Sequence, residues 1–326
     1  MENILVTGGA GYIGSHTCKL LHKAGYNPVT LDNLVYGHKE FVKWGKLYHG
    51  DQSDSNLVKK IINEYSIKSI IHFSAFAYVG ESVEKPIKYF ENNTIGTLKL
   101  VKVAIECGVK NFIFSSTCAT YGIPTEIPIV ETTTQRPINP YGLSKLMVEE
   151  MMKWICATSD LKFVALRYFN ASGASFDLDI GERHNPETHL IPLVIDAALN
   201  SGTVSIFGDD YDTHDGTCIR DYIHVLDLAD AHIKAISFLE KGSKSDIFNL
   251  GTGVGYSVKE IVDTVERISQ CNINRKIIPR RSGDPGALIS DPTKANKFLG
   301  WKPIYSSLDK IISSALAWHK NECDRI

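Results

Sequence analysis

Ile4-Leu5-Val6-Thr7-Gly8-Gly9-Ala10-Gly11-Tyr12-Ile13-Gly14-Ser15-His16 is the stretch on which the fold turns. Its first residues read as a buried strand, Gly8, Gly11 and Gly14 as a tight turn, and 13–23 as an amphipathic helix. Glycine in such a turn removes the Cβ atoms that would keep a pyrophosphate off the backbone, and the third glycine lets the helix lie close to the strand. The helix N-terminus then offers free N–H groups to the phosphates. A second strand ends at Leu31-Asp32, where a carboxylate can hold the adenosine ribose hydroxyls. Its charge repels a 2′-phosphate, so NAD is expected rather than NADP. Asp51 follows a third strand-like segment, 46–49. It reads either as an acceptor for the adenine amino group or as an N-cap for the helix from Leu57.

Outward from this turn, short apolar runs at 4–6, 29–31, 69–73, 112–115 and 163–166 alternate with helix-like stretches at 13–23, 55–65, 89–107 and 141–158. Strands apolar throughout are buried on both faces, and the helices between them make parallel crossovers. The expected fold class is α/β, a doubly wound Rossmann-type parallel sheet with a smaller α/β substrate domain. After about Asn170 the texture changes, and Gly, Asp, His and Pro crowd 171–192. We therefore expect a dinucleotide-binding domain over 1–170 and a second domain over 171–326. The two interleave, because Phe248-Asn249-Leu250 reads as a strand rejoining the large sheet, with the return falling near 222–253.

Composition narrows the function. The 326 residues carry 35 basic and 37 acidic side chains, a near-balance that argues against a dedicated nucleic-acid surface. A hydrophobic content of 43% supplies a large core. No apolar run approaches the roughly 20 residues a membrane helix needs. The N-terminus lacks the basic start and long apolar stretch of a signal peptide. The 7 cysteines are scattered with no CxxC, so neither a disulfide framework nor a metal centre is expected. The expectation is a cytoplasmic protein.

Pro140-Tyr141-Gly142-Leu143-Ser144-Lys145 opens a helix and puts Tyr141 and Lys145 on one face. A phenol with a pKa of about 10 is a poor base at neutral pH. A neighbouring ammonium and a positive nicotinamide ring would favour the phenolate and lower that pKa. Ser115-Ser116-Thr117 closes the fourth long apolar run and brings a hydroxyl to the carboxyl end of a parallel strand, where ligands of such sheets bind.

TGGAGYIGSH at 7–16, SSTCATYG at 115–122 and NPYGLSK at 139–145 resemble the extended short-chain dehydrogenase/reductase family. VGESVEKP at 79–86, RYFNASGA at 167–174, HLIP at 189–192, DGTCIRDYIHV at 215–225 and RRSGDP at 280–285 narrow the resemblance to its UDP-glucose 4-epimerase branch. It covers nearly the whole chain. The resemblance implies Tyr141 as the acid/base, Lys145 as its partner and Thr117 as the hydroxyl donor. It implies NAD contacts from Gly8, Gly11, Tyr12, Ile13, Gly14, Asp32, Asn33, Asp51, Gln52, Phe73, Asn92, Tyr141, Lys145 and Tyr168. Around a UDP-sugar it implies Thr117, Asn170, His189, Leu190, Arg220, Arg281, Asp284 and Leu288. The two arginines make chemical sense, since a guanidinium fork suits a pyrophosphate. The resemblance further implies a homodimer through helices 89–107 and 141–158.

This sequence departs from its relatives in two places. Many carry Lys where Ala77 stands, near the NAD phosphates, and several carry Tyr where Leu288 stands, beside the sugar. The implied reaction is 4-epimerisation of UDP-glucose and UDP-galactose, with UDP-N-acetylglucosamine and UDP-xylose as alternative substrates. A nucleotide-sugar 4,6-dehydratase would carry Asp-Glu after Thr117, where Cys118 and Ala119 stand. A non-enzymatic dinucleotide sensor would have no need of both Tyr141 and Lys145.

Overall fold

The computed structural model describes residues 1–281 and 283–323; Ser282 of the RRSGDP stretch and the last three residues of the expected second domain lie outside the described residues. Six strands lead the chain: β1 (Asn3–Thr7), β2 (Asn27–Asp32), β3 (Lys46–His49), β4 (Ser69–His72), β5 (Asn111–Thr117) and β6 (Lys162–Tyr168). Between them run α1 (Tyr12–Lys23), α2 (Ser55–Tyr65), α3 (Val79–Glu84), α4 (Pro86–Tyr89), α5 (Thr97–Glu106) and α6 (Pro140–Ala157). The expected helix over 89–107 is not uniform. Phe90–Gly96 is a wider π-helical turn between α4 and α5.

The second half holds β7 (Asn170–Ser172), α7 (Leu190–Leu199), β8 (Thr203–Phe207), β9 (Ile219–His224), α8 (Val225–Glu240), β10 (Asp246–Leu250) and β11 (Gly255–Ser257). It continues with α9 (Val258–Ser269), β12 (Asn274–Ile278), β13 (Ala287–Leu288), α10 (Thr293–Leu299) and α11 (Leu308–Cys323). The large sheet has seven strands in the order β10-β6-β5-β4-β1-β2-β3. Every pairing in it is parallel. The order reverses between β1 and β4, which opens a crevice at their carboxyl ends.

Two apolar layers hold this sheet. Leu5, Val29, Ile70, Phe112 and Ala165 face α2, α5 and α6 on one side. Ile4, Val6, Ile71, Ile113 and Val164 face α1 and α8 on the other. Each such side chain removed from water contributes about 1.5–3 kcal/mol, which is why both faces of these strands read as apolar. A second sheet runs β11-β9-β13, with β7 also paired to β9, and β12 pairs with β8. Its core gathers Ile195, Val204, Tyr222, Ile261 and Ile312. Thus β9 reaches the substrate side of the crevice, and α8, which follows it directly, returns under the large sheet.

Candidate active site

The dinucleotide end is built by the turn from β1 to α1. Gly8 has φ +74°, and a Cβ on Gly14 would lie 2.1 Å from the Gly8 carbonyl oxygen. No larger residue lets the helix start this close to the strand. No side chain caps α1 at Gly11, and its first turn holds no acidic residue. Its orphan N–H groups therefore remain available to an anion. The Tyr12 hydroxyl donates to the Gly173 carbonyl. Ile13 packs on the apolar layer under the sheet.

Asp32 closes β2. Its carboxylate accepts from the Ala10 amide at 3.0 Å and the Leu34 amide at 2.8 Å. Burial lifts this carboxyl above the usual range, and the two amides act against that lift. Asn33 donates to Asp51 at 3.0 Å. The helix-cap reading of Asp51 is corrected by the structure: Asp54 caps α2, accepting from Asn56 and Leu57 at 3.1 and 3.0 Å. Asp51 instead accepts from the Ser53 amide at 2.8 Å, and its side chain stays at the crevice edge beside Asn33. Gln52 donates to the Asn92 carbonyl at 2.9 Å. Its own buried carbonyl oxygen has no partner among the described residues, an acceptor site a cofactor group can fill. Across the switch point, the Phe73 amide donates to the Thr7 carbonyl at 2.9 Å. Ala77 is exposed in the loop before α3.

The chemical end is the start of α6. Asn139 caps it, accepting from the Gly142 amide at 2.8 Å, and Pro140 occupies the first turn. A Cβ on Gly142 would sit 2.5 Å from the Ala119 carbonyl oxygen, so only glycine brings this helix against the end of β5. The Thr117 side chain lies close enough to the Tyr141 phenol to act on its titration. Lys145 is buried and donates to the Ser115 carbonyl at 2.7 Å. Tyr168 shares a hydrogen bond with the Ser115 hydroxyl. Burial pushes the Tyr141 phenol up to about 12, with Thr117 acting against it. Burial also pulls Lys145 down to about 7, and Glu149 opposes that fall. In the chain without cofactor, burial is the largest influence on the phenol.

The substrate end is carried by β9, β13 and the start of α7. Arg220 is ion-paired with Asp284, and it also donates to the Ile219 carbonyl at 2.8 Å. In the ladder, Leu288 stands beside Arg220. The Leu288 side chain packs on Cys118, Tyr121, Ile129 and Phe169, next to Thr117. The Arg281 guanidinium lies 3.8 Å from the Phe207 ring centroid. Asn170 opens β7 and meets Tyr222 of β9. Leu190 begins α7, and His189 precedes it with its Nδ1 2.7 Å from a Glu182 oxygen.

Sequence reasoning missed the network beneath the site. Glu149, fully buried, receives Arg167 at 3.0 and 3.2 Å through Nε and also accepts from Ser116. Arg167 reaches on to the Tyr121 hydroxyl at 2.8 Å, which donates to Asn249 at 2.6 Å. His72 sits between Thr7 and Thr97 at 2.6 and 2.8 Å. One signal was available: Tyr141, Lys145 and Glu149 recur at four-residue spacing and so share a helix face.

A phosphate-ready turn and a tyrosine–lysine–threonine cluster on a doubly wound sheet define an enzyme that uses a dinucleotide. The family model described as the NAD dependent epimerase/dehydratase family matches residues 4–251. The UDP-glucose 4-epimerase of Rhizobium meliloti is 51% identical over 319 residues, spanning 98% of this chain and 97% of that protein. Among solved structures, the UDP-glucose 4-epimerase from Brucella ovis in complex with NAD matches at TM-score 0.95 and 48% identity, over 98% of each chain. The UDP-Glc/GlcNAc 4-epimerase from Campylobacter jejuni matches at TM-score 0.86 and 42% identity, over 98% of this chain and 100% of that one. The chain belongs to the NAD dependent epimerase/dehydratase family, within the group of UDP-glucose 4-epimerases.

Proposed function

We propose that this protein interconverts UDP-glucose and UDP-galactose by NAD-dependent 4-epimerisation through a 4-keto sugar. One observation carries the reading: Tyr141, Thr117 and Lys145 converge at the switch-point crevice of a chain half-identical to curated enzymes of that name. The residues fit NAD. The glycine turn leaves room that a Cβ would fill. The Asp32 carboxylate at the end of β2 repels a 2′-phosphate, and Gln52 offers a buried acceptor without a partner among the described residues. NAD held there would supply the hydride acceptor and donor for C4 of the sugar.

The chain's own groups do the rest. Tyr141 takes the proton of the 4-hydroxyl and later gives it back, with the Thr117 hydroxyl holding the sugar oxygen in line. Lys145 supplies the positive charge that makes the phenolate accessible and holds the nicotinamide ribose. Arg220 and Arg281 hold the pyrophosphate, with Asp284, Asn170, His189 and Leu190 around it. Binding energy placed on the UDP leaves the sugar free to turn. Purified protein should convert UDP-galactose to UDP-glucose with no added cofactor, and the denatured supernatant should contain NAD. Absence of turnover, or NADP in the supernatant, overturns the assignment.

A second substrate is favoured by Leu288. A tyrosine at this place fills the space an N-acetyl group needs; leucine leaves part of it free. We infer measurable activity on UDP-N-acetylglucosamine beside the main activity on plain hexoses. Leu288→Tyr should then remove the acetyl-sugar activity and largely spare UDP-glucose. The larger ring risks about 1–3 kcal/mol of overpacking, so the melting temperature is read alongside. Equal loss of both activities in a stably folded variant denies Leu288 this role.

The assembly we propose is a cytoplasmic homodimer of two-domain chains, 1–170 and 171–326, with 222–253 returning to the larger part. Ile95, Leu98 and Ile105 on one helical segment and Leu143, Met147 and Trp154 on the next are exposed. Trp154 is 78% exposed, a large apolar surface that a second copy would cover. Among the described residues no helix is long and apolar enough to cross a membrane. Sedimentation as a monomer at micromolar concentration would remove the dimer from this picture.

A further inference from the structure

The loop from β7 to α7 brings Glu182, His184, Glu187 and His189 together, one potential ligand atom from each lying within 4.8 Å of all the others. The spacings have the size of a coordination shell. His184 Nδ1 lies 3.3 Å from Glu182 Oε1 and 3.5 Å from Glu187 Oε2. His189 Nδ1 lies 2.7 Å from Glu182 Oε1 and 3.3 Å from Glu187 Oε1. A tetrahedral ion with ligand bonds of about 2.0–2.2 Å has ligand-to-ligand edges of about 3.3–3.6 Å. Direct hydrogen bonds between these groups would account for short contacts, but two of the atoms do not make them. Glu182 Oε1 and His184 Nδ1 are buried and make no hydrogen bond of good geometry among the described residues, although His189 Nδ1 lies 2.7 Å from the first and Glu182 Oε1 lies 3.3 Å from the second. Glu182 is only 4% exposed.

We propose that these four side chains form a binding site for a divalent transition-metal cation of the zinc type, outside the reaction centre. Two imidazoles and two carboxylates suit such an ion better than magnesium or calcium, which take oxygen ligands in larger number. The surrounding shell is built to hold ligands in place. Trp318 donates to the Glu182 carbonyl at 3.0 Å. The amides of Thr188 and His189 donate to Glu187 Oε1 at 2.8 and 2.9 Å. Tyr12 and Tyr78 pack edge-on against the His184 ring, each with centroids 6.2 Å away. Such supporting contacts orient ligands and raise affinity. A bound cation would tie 182–189 into one rigid loop directly ahead of α7. The cysteine count gave no hint of this site because its ligands are spaced E-x-H-x-x-E-x-H with no thiol among them.

The test uses the full chain with its cofactor, carrying no histidine tag. After treatment with a chelator and dialysis, zinc is titrated by calorimetry, and the melting temperature is recorded with and without the ion. We expect one zinc per chain, bound tighter than about 1 µM, and a higher melting temperature with zinc. Glu187→Gln and His184→Ala, checked for native circular dichroism, should each weaken binding at least about tenfold. Absence of saturable binding to the wild-type chain overturns the proposal, and this outcome does not depend on any variant folding. Variants that bind zinc as well as the wild type overturn it too, by placing the ion elsewhere.

Discussion

Tyr141→Phe is expected to lower kcat by about 10²–10⁴, the usual cost of losing a general acid/base. The reason lies in the surroundings of the phenol. Cys118 and Tyr168 are titratable groups that act with it, and burial pushes both up, so neither can replace it as a base near neutral pH. Lys145, one turn further on, is held by the Ser115 carbonyl and points along the strand end. It cannot take over the proton without leaving that bond. Phenylalanine keeps the ring, so packing changes little, and the residues proposed for the UDP are untouched. UDP affinity by calorimetry should therefore stay within a few-fold of the wild type while turnover collapses. A variant retaining more than about half of the wild-type rate would reject Tyr141 as the acid/base.

The largest effect on stability is expected at Glu149. This carboxylate is fully buried, and Arg167, its partner, is 1% exposed. Glu149→Gln keeps the shape and one acceptor but leaves the guanidinium buried without a counter-charge. Removing one side of a buried ion pair costs about 3–5 kcal/mol. Urea unfolding should show this as a lower midpoint with the slope unchanged. Replacing both partners, Glu149→Met with Arg167→Leu, should recover much of the loss, because no uncompensated charge then remains. A single-variant loss below about 1 kcal/mol would mean that the pair behaves like an exposed one.

The same substitution carries a catalytic signature. Burial already pulls Lys145 down to about 7, and Glu149 is the group that holds it up. Without that charge the ammonium is lost at lower pH. The fall of kcat on the alkaline side should move to lower pH in Glu149→Gln. A merely destabilised enzyme assayed well below its melting temperature would keep the wild-type profile.

How far the sequence reaches can be judged from individual elements. The β1 strand, its glycine turn and α1 were legible because each local requirement is absolute: no side chain but hydrogen fits at Gly8 or Gly14. The start of α6 was legible from Asn139-Pro140, a cap and a first-turn proline. The sequence left Asp51 open between an adenine acceptor and the cap of α2, because two aspartates three residues apart carry the same cap signal. Only the observed backbone shows that Asp54 meets the Asn56 and Leu57 amides. The π-helical turn at Phe90–Gly96 was likewise hidden, since it is set by packing against α6 and not by residue preference.

By itself the sequence determined the alternation of buried strands and crossover helices, the turn that receives phosphates, and the presence of one tyrosine and one lysine on a common helix face. These depend on contacts within a few residues, where spacing is geometry. The tertiary structure alone decided how charges pair across distance. Arg220 meets Asp284, Glu149 meets Arg167, and the two histidines and two glutamates of 182–189 fold into one shell. It also decided how deeply the phenol of Tyr141 is buried, which pushes it up in the chain without cofactor. Desolvation is a property of everything that covers a group, and that cover comes from chain segments far apart in sequence.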